Sequence, residues 1–253
     1  MLPPDLRSAE AETLTAVRSA LAAEPRGRWT VEWRFEGLRL LAPALRLAGE
    51  LLTEAGRGGR LLFADEGAAA LARRESEILA PRIASFGDER RRQGEAGGVG
   101  GGGAIGGSGE GSGEGSGAGG GDGLLLLVAP SQTEYDLVEA LCGAHRGAVV
   151  LLNPNLEDAA VGIGSVARQR RKGFLSTWQT AYALLPDAES TLRRAHPGDW
   201  ELYRLDPDGY RLVRSFERRP DGESRAEALA GTGGVGLAGQ LRGLNDLLEG
   251  LQR

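Results

Sequence analysis

Arg168, Arg170, Arg171 and Lys172 put four cations into five positions of a 253-residue chain, with no acid beside them. Such a cluster could grip phosphate, an anionic lipid or an acidic patch on a partner protein, because guanidinium groups meet oxyanions in a bidentate fork. The same residues read equally well as the solvated start of a helix, and both readings stand. Gly162 and Gly164 precede them, but this GIG is no dinucleotide fingerprint. It lacks a third glycine and no strand leads directly into it. Cys142 and His145 form a C-x-x-H pair. A zinc site needs four ligands, and the chain holds one cysteine and two histidines, so no metal or other cofactor is expected. Cys142 instead reads as a small core residue on the inner face of a helix. Ser131 has no G-x-S-x-G elbow around it to make it a nucleophile. Asp206 and Asp208 belong to a turn. No catalytic set is complete.

These side chains need elements to hold them. Leu124–Ala129 is a continuous apolar run too short for a helix, and Ala148–Leu152 is a second; both read as strands covered on two faces. Between them Ser131 and Glu134 form an S-x-x-E capping box, with Tyr135, Val138, Leu141 and Cys142 on one helical face behind it. Strand, helix, strand in that order makes a right-handed parallel crossover. Upstream, WTVEWRF (29–35) alternates as a strand. Helices are expected over 8–24, 38–55 and 66–79, with a short strand at 60–64 and Asp65 as the cap after it. In an open parallel sheet ligands bind beyond the carboxyl ends of the strands. Those ends present Asp65, Ser131, Asn153 and Asn155, which with the basic cluster are the candidate binding residues. Capping accounts for Asp65 and Ser131 without any ligand, and Asn153 reads as a turn residue.

Downstream, a strand is expected near 182–185. Two more, 200–206 and 210–218, flank the turn Asp206-Pro207-Asp208-Gly209. Leu237, Leu241, Leu244, Leu248 and Leu251 repeat at four-three spacing on a terminal helix. The expected fold is therefore a three-layer α/β domain over 1–253. Its sheet is mainly parallel, with an antiparallel C-terminal hairpin and a terminal helix.

Residues 94–123 interrupt that domain. Eighteen of the thirty are glycine, so the segment reads as a disordered, flexible insertion that adds nothing to a core. It holds four acids and no base. The formal charge is −5, so the remainder is close to neutral, which argues against nucleic acid as a partner. A lone cysteine excludes an internal disulfide framework, and no apolar stretch is long enough to span a membrane. The first residues carry Asp5, Glu10 and Glu12 and no signal-type apolar core, so no transit or secretory peptide is visible there.

Five segments together resemble a known family: FADEG (63–67), VAPSQTEYDLVEAL (128–141), VVLLNPNLED (149–158), RKGFLSTWQTAYALLP (171–186) and DWELYRLDPDGYRLV (199–213). The pattern is similar to a domain of unknown function in the chloroplast Low Photosystem II Accumulation proteins and in the C-terminal part of a chloroplast adenylate kinase. The resemblance implies a chloroplast setting, in the stroma or on the thylakoid surface. It also implies a non-catalytic interaction module that helps photosystem II assemble or accumulate through protein partners. The alternative it leaves open is an enzyme domain that binds a nucleotide or phosphate metabolite, related to the kinase-fused form. The family brings no catalytic signature, and the long glycine insertion departs from its pattern.

Overall fold

The computed structural model describes residues 1–98, 123–156, 169 and 172–231. In chain order the first elements are α1 (Leu6–Ala23), β1 (Arg28–Trp33), α2 (Leu41–Glu54), β2 (Arg60–Phe63), α3 (Glu66–Glu75), β3 (Ile83–Ser85) and α4 (Phe86–Gly98). Then come β4 (Leu125–Val128), α5 (Tyr135–Ala144), β5 (Val149–Leu152), β6 (Gln179–Pro186), β7 (Ser190–Ala195), β8 (Trp200–Asp206), β9 (Gly209–Phe216) and α6 (Gly222–Gly231). The leucine stripe at 237–251 lies outside the described residues.

The strands form one sheet of order β3-β2-β4-β5-β1-β6-β7-β8-β9, parallel from β3 to β6 and antiparallel from β6 to β9. The expected pairing of the two apolar runs is present: β4 and β5 run parallel, Leu125 opposite Val149 through Val128 opposite Leu152, and every residue of both is buried. Helices separate by the direction of the crossover. Connections travelling toward β3 place α2 and α3 on one face with α1; those returning place α4 and α5 on the other, as right-handed crossovers require. The result is a three-layer α/β fold with an antiparallel C-terminal hairpin, β8–β9, closing at Asp206 opposite Gly209.

Three features depart from the expected elements. α3 ends at Glu75, not near Leu79, where Ser76 leaves the helical region. A β3–α4 unit follows that the pattern does not announce. β3 is only three residues long, and the inward positions of α4 are Phe86 and a fully buried acid, Glu89. Glu89 lies 2.5 Å from Arg92 and 3.4 Å from Arg60, so an ionic cluster replaces the apolar stripe by which a helix is usually recognised. α4 continues through Gly98, into the glycine run. Finally, β7 pairs with β6 and β8; its STLRRA sequence places Arg193 on a partly buried carboxylate network rather than an apolar one. Arg193 bridges Glu12 (3.1 Å) and Glu201 (2.6 Å) beneath α1.

His145 caps α5, and its Nε2 donates to the Gly123 carbonyl at 2.7 Å, tying that helix end to the start of β4. Burial holds its pKa below the ordinary value of 6.5, with the bond to Gly123 and the Glu89 charge pulling the other way. His196, the other histidine, is lowered by burial and by Arg194. A base with a depressed folded pKa costs stability as pH falls below its unfolded value, because the unfolded chain takes the proton first. Carboxylates such as Glu54 and Asp206 are also lowered, by Arg18 and Arg204, and their contribution is lost only below 4.5 and 3.8. The urea midpoint should therefore fall between about pH 7 and about pH 5.5 because of the two histidines. The double variant His145→Gln, His196→Gln should show a flat profile over that window.

Candidate functional site

At the carboxyl ends of the parallel strands, neighbouring strands in several places send their connections to opposite faces, and two of these places concern the candidate residues. One lies between β2 and β4, the other between β5 and β1. Such reversals open crevices in α/β sheets. Asp65 and Ser131 flank the first. Asp65 accepts from the Ala68 amide at 2.8 Å as the N-cap of α3. Ser131 completes the capping box: its amide donates to Glu134 Oε2 at 3.0 Å, and its Oγ to the same atom at 2.5 Å. That bond and a second from Thr133 hold the Glu134 carboxyl below its ordinary range.

Asn153 fills the second crevice. Its backbone stands at φ 50°, in the left-handed region. Its Oδ1 accepts from the Trp33 amide at 2.5 Å and its Nδ2 donates to the Trp33 carbonyl at 2.8 Å. The side chain thus continues the β5–β1 ladder where the strand backbone has already turned away. Asn155 forms a single parallel bridge with Ser131, its amide reaching the Pro130 carbonyl at 2.8 Å, and its side chain is exposed. Lys172 is exposed; Arg168, Arg170 and Arg171 lie outside the described residues. The fold brings Ser131 and Asn155 together, commits Asp65, Ser131 and Asn153 to backbone bonds, and leaves Asn155 and Lys172 in solvent. Cys142 is buried, and burial pushes its thiol up to about 12, against a smaller opposing pull from Arg28. Among the described residues, no three His, Cys, Asp or Glu side chains are grouped to hold a metal.

A better-formed concavity lies elsewhere on the sheet. On the face carrying α4 and α5, those helices with Phe174 cover β3 to β5, and α6 packs in one cluster with Ala183 of β6, Leu192 of β7 and Trp200 and Leu202 of β8. Neither cluster takes in Thr30 and Glu32 of β1 or Thr180 at the start of β6. Between the two covers a cleft of about 390 Å³ opens, floored by Thr30 and Glu32 of β1 and Thr180 of β6. Leu156, Leu175 and Trp178 form its apolar wall; Arg194, Trp200, Arg218 and Arg219 form the opposite one.

The electrostatics of this cleft are uneven. Glu32 is 6 % exposed and its Oε1 lies 3.0 Å from Arg219, with Arg34 at 3.9 Å from the other oxygen. The guanidinium groups of Arg219 and Arg194 sit 5.4 and 5.8 Å from the centre of the Trp200 ring. Arg194 spends its Nε on the Thr180 carbonyl at 2.9 Å. Burial lowers its pKa; the Asp199 charge opposes that from beyond salt-bridge distance. The Thr30 and Thr180 hydroxyls bond each other at 3.2 Å.

Glu32, Arg194, Trp200 and Arg219 come from distant parts of the chain, which is why sequence motifs pass over them. One signal was available. In WTVEWRF one alternate face is Trp29, Val31, Trp33 and Phe35, and the other is Thr30, Glu32 and Arg34. A strand central to a two-sided sheet is expected to be apolar on both faces. A polar face there marks a stretch that no helix among the described residues covers.

No curated protein and no solved structure matches the chain. The family model described as Domain of unknown function (DUF1995) matches residues 3–227, which take in every strand and the cleft, and the chain belongs to that family.

Proposed function

We propose that this chain is a non-catalytic interaction module, an auxiliary factor in photosystem II assembly or accumulation in plastids, which holds a protein partner along the open edge of its sheet. The plastid setting and the class of partner rest on the five segments that resemble the Low Photosystem II Accumulation proteins. The observation that carries the interaction reading is β9. It is the last strand of the order, and most of its residues are exposed. Tyr210 pairs with Leu205 across the hairpin, and Leu212 stands two residues on, so the three share one face. Each is nearly half exposed, at 45 %, 47 % and 49 % for Tyr210, Leu205 and Leu212. A strand unpaired on its outer side among the described residues, with an apolar strip beside it, suits strand addition, in which backbone bonds supply affinity and side chains supply selectivity.

The test is affinity capture from thylakoid extract with the full chain and with Leu212→Asp. Recovery of a photosystem II subunit or assembly factor is expected, reduced about tenfold by the variant, which corresponds to about 1.4 kcal/mol. Capture that recovers no such protein, or that Leu212→Asp leaves unchanged, refutes the proposal.

A further inference from the structure

We infer that the cleft between the two helical covers is a receptor site for a small ligand with an oxyanion, carboxylate or phosphate, at one end and a planar apolar body at the other. The inference is independent of what binds β9. Its volume of about 390 Å³ falls within the range of small-molecule sites, roughly 300–1,000 Å³.

The oxyanion end follows from the arginines. Arg219 is neutralised by Glu32, but Arg194 and Arg218 form no ion pair among the described residues. Arg194 is the more informative. It is partly buried, and its one bond uses Nε, so both terminal nitrogens remain as donors without an acceptor on a wall of the cleft. Burying a guanidinium without a counter-charge is costly, and a bound carboxylate or phosphate removes that cost through charge-assisted bonds. Arg218 stands exposed on the same wall, able to reach the same group. Glu217 also lines the cleft and opposes an anion, so the site favours a compact group held close to Arg194 over a diffuse polyanion. The planar end follows from the facing wall, where Trp178 and Leu175 are only partly buried and offer apolar surface about one ring wide.

Glu32 sets the sign of a second effect. It is the internal anion of the cleft and occupies Arg219 at 3.0 Å. Glu32→Gln removes a repulsive charge from the cleft, so it should tighten ligand binding, whereas a site dominated by shape alone gains nothing.

The experiment titrates the full chain with phenyl phosphate, benzoate, inorganic phosphate and uncharged benzyl alcohol, read by tryptophan fluorescence and calorimetry. Saturable binding of phenyl phosphate or benzoate below ~10 mM is expected, and the stronger of the two identifies the headgroup. Inorganic phosphate should bind more weakly and benzyl alcohol not at all. Arg194→Gln should weaken the better probe by about tenfold, the scale of one charged hydrogen bond. Glu32→Gln should strengthen it several-fold. Arg218→Gln, at an exposed position, should weaken it without any risk to folding. The inference is overturned if neither charged probe saturates or if benzyl alcohol binds as well as benzoate. It is also overturned if folded Arg194→Gln and Arg218→Gln both bind as the parent does, or if Glu32→Gln weakens binding while circular dichroism is unchanged.

Discussion

Gly123→Ala should lower the free energy of unfolding by about 3 kcal/mol, the upper end of the overpacking range. Gly94→Ala, at the other end of the same glycine run, should raise it by about 0.5–1 kcal/mol. A Cβ at Gly123 would stand 2.2 Å from the Gly58 carbonyl carbon and 2.7 Å from the Gly59 nitrogen. Those are backbone atoms at the entrance to β2, and they cannot rotate away as a side-chain tip would. They are also fixed by the ladder: the Arg60 amide donates to the Leu124 carbonyl at 2.8 Å, and His145 holds the Gly123 carbonyl from the other side. Relief requires β4 to part from β2, with loss of pairing at the head of both strands. Gly94 is exposed on α4 with nothing within 4 Å of a Cβ, so alanine there only removes backbone freedom from the unfolded chain. Urea unfolding followed by circular dichroism separates the two signs. Equal midpoints for Gly123→Ala and the parent would mean that β2 and β4 do not approach as closely as described.

Asn153→Ala should cost about 3 kcal/mol, and Asn153→Gly about 1 kcal/mol less than that. Alanine strands the Trp33 amide and carbonyl, both on a residue that is 1 % exposed, and also forces a Cβ-bearing residue without a polar side chain into φ 50°. Glycine loses the same two bonds but carries no Cβ, so only the backbone strain differs between the two variants. The comparison also decides what Asn153 does. A ligand-binding asparagine at the end of a strand could be replaced with little loss of stability. If Asn153→Ala unfolds at the parent's urea concentration, the clamp described here is wrong and Asn153 returns to the set of binding candidates beside Asn155.

Several elements were legible because their causes are local. The Ser131 capping box needs only a glutamate three residues on, and the structure forms it. Asp65 caps α3 for the same reason. The turn Asp206–Gly209 closes the hairpin because Gly209 supplies φ 120° where it is needed. The less legible elements are those whose burial is polar. α4 hides its inward face behind Glu89, and β7 turns Arg193 toward two acids. Each is stabilised by charges brought from other segments, so hydrophobic periodicity has nothing to register.

The candidate binding residues divide in the same way. Asp65, Ser131 and Asn153 were found because strand ends can be located from the sequence, and their side chains proved to be occupied by backbone groups, the Ser131 Oγ by the Thr133 amide. The cleft residues Glu32, Arg194, Trp200 and Arg219 were not found, because no spacing relates them.

By itself the amino-acid sequence determined the class of fold: two fully apolar runs around an amphipathic segment can only be inner strands of a layered sheet with a helix across them. Tertiary structure alone decided that β1 inserts between β5 and β6, that Trp33 meets Asn153 and Gly58 meets Gly123, and that two helical covers stop short of each other over Glu32. The physical reason is range. Burial preference and capping act within a few residues and are written there, whereas the order of strands is a property of how all the layers pack at once.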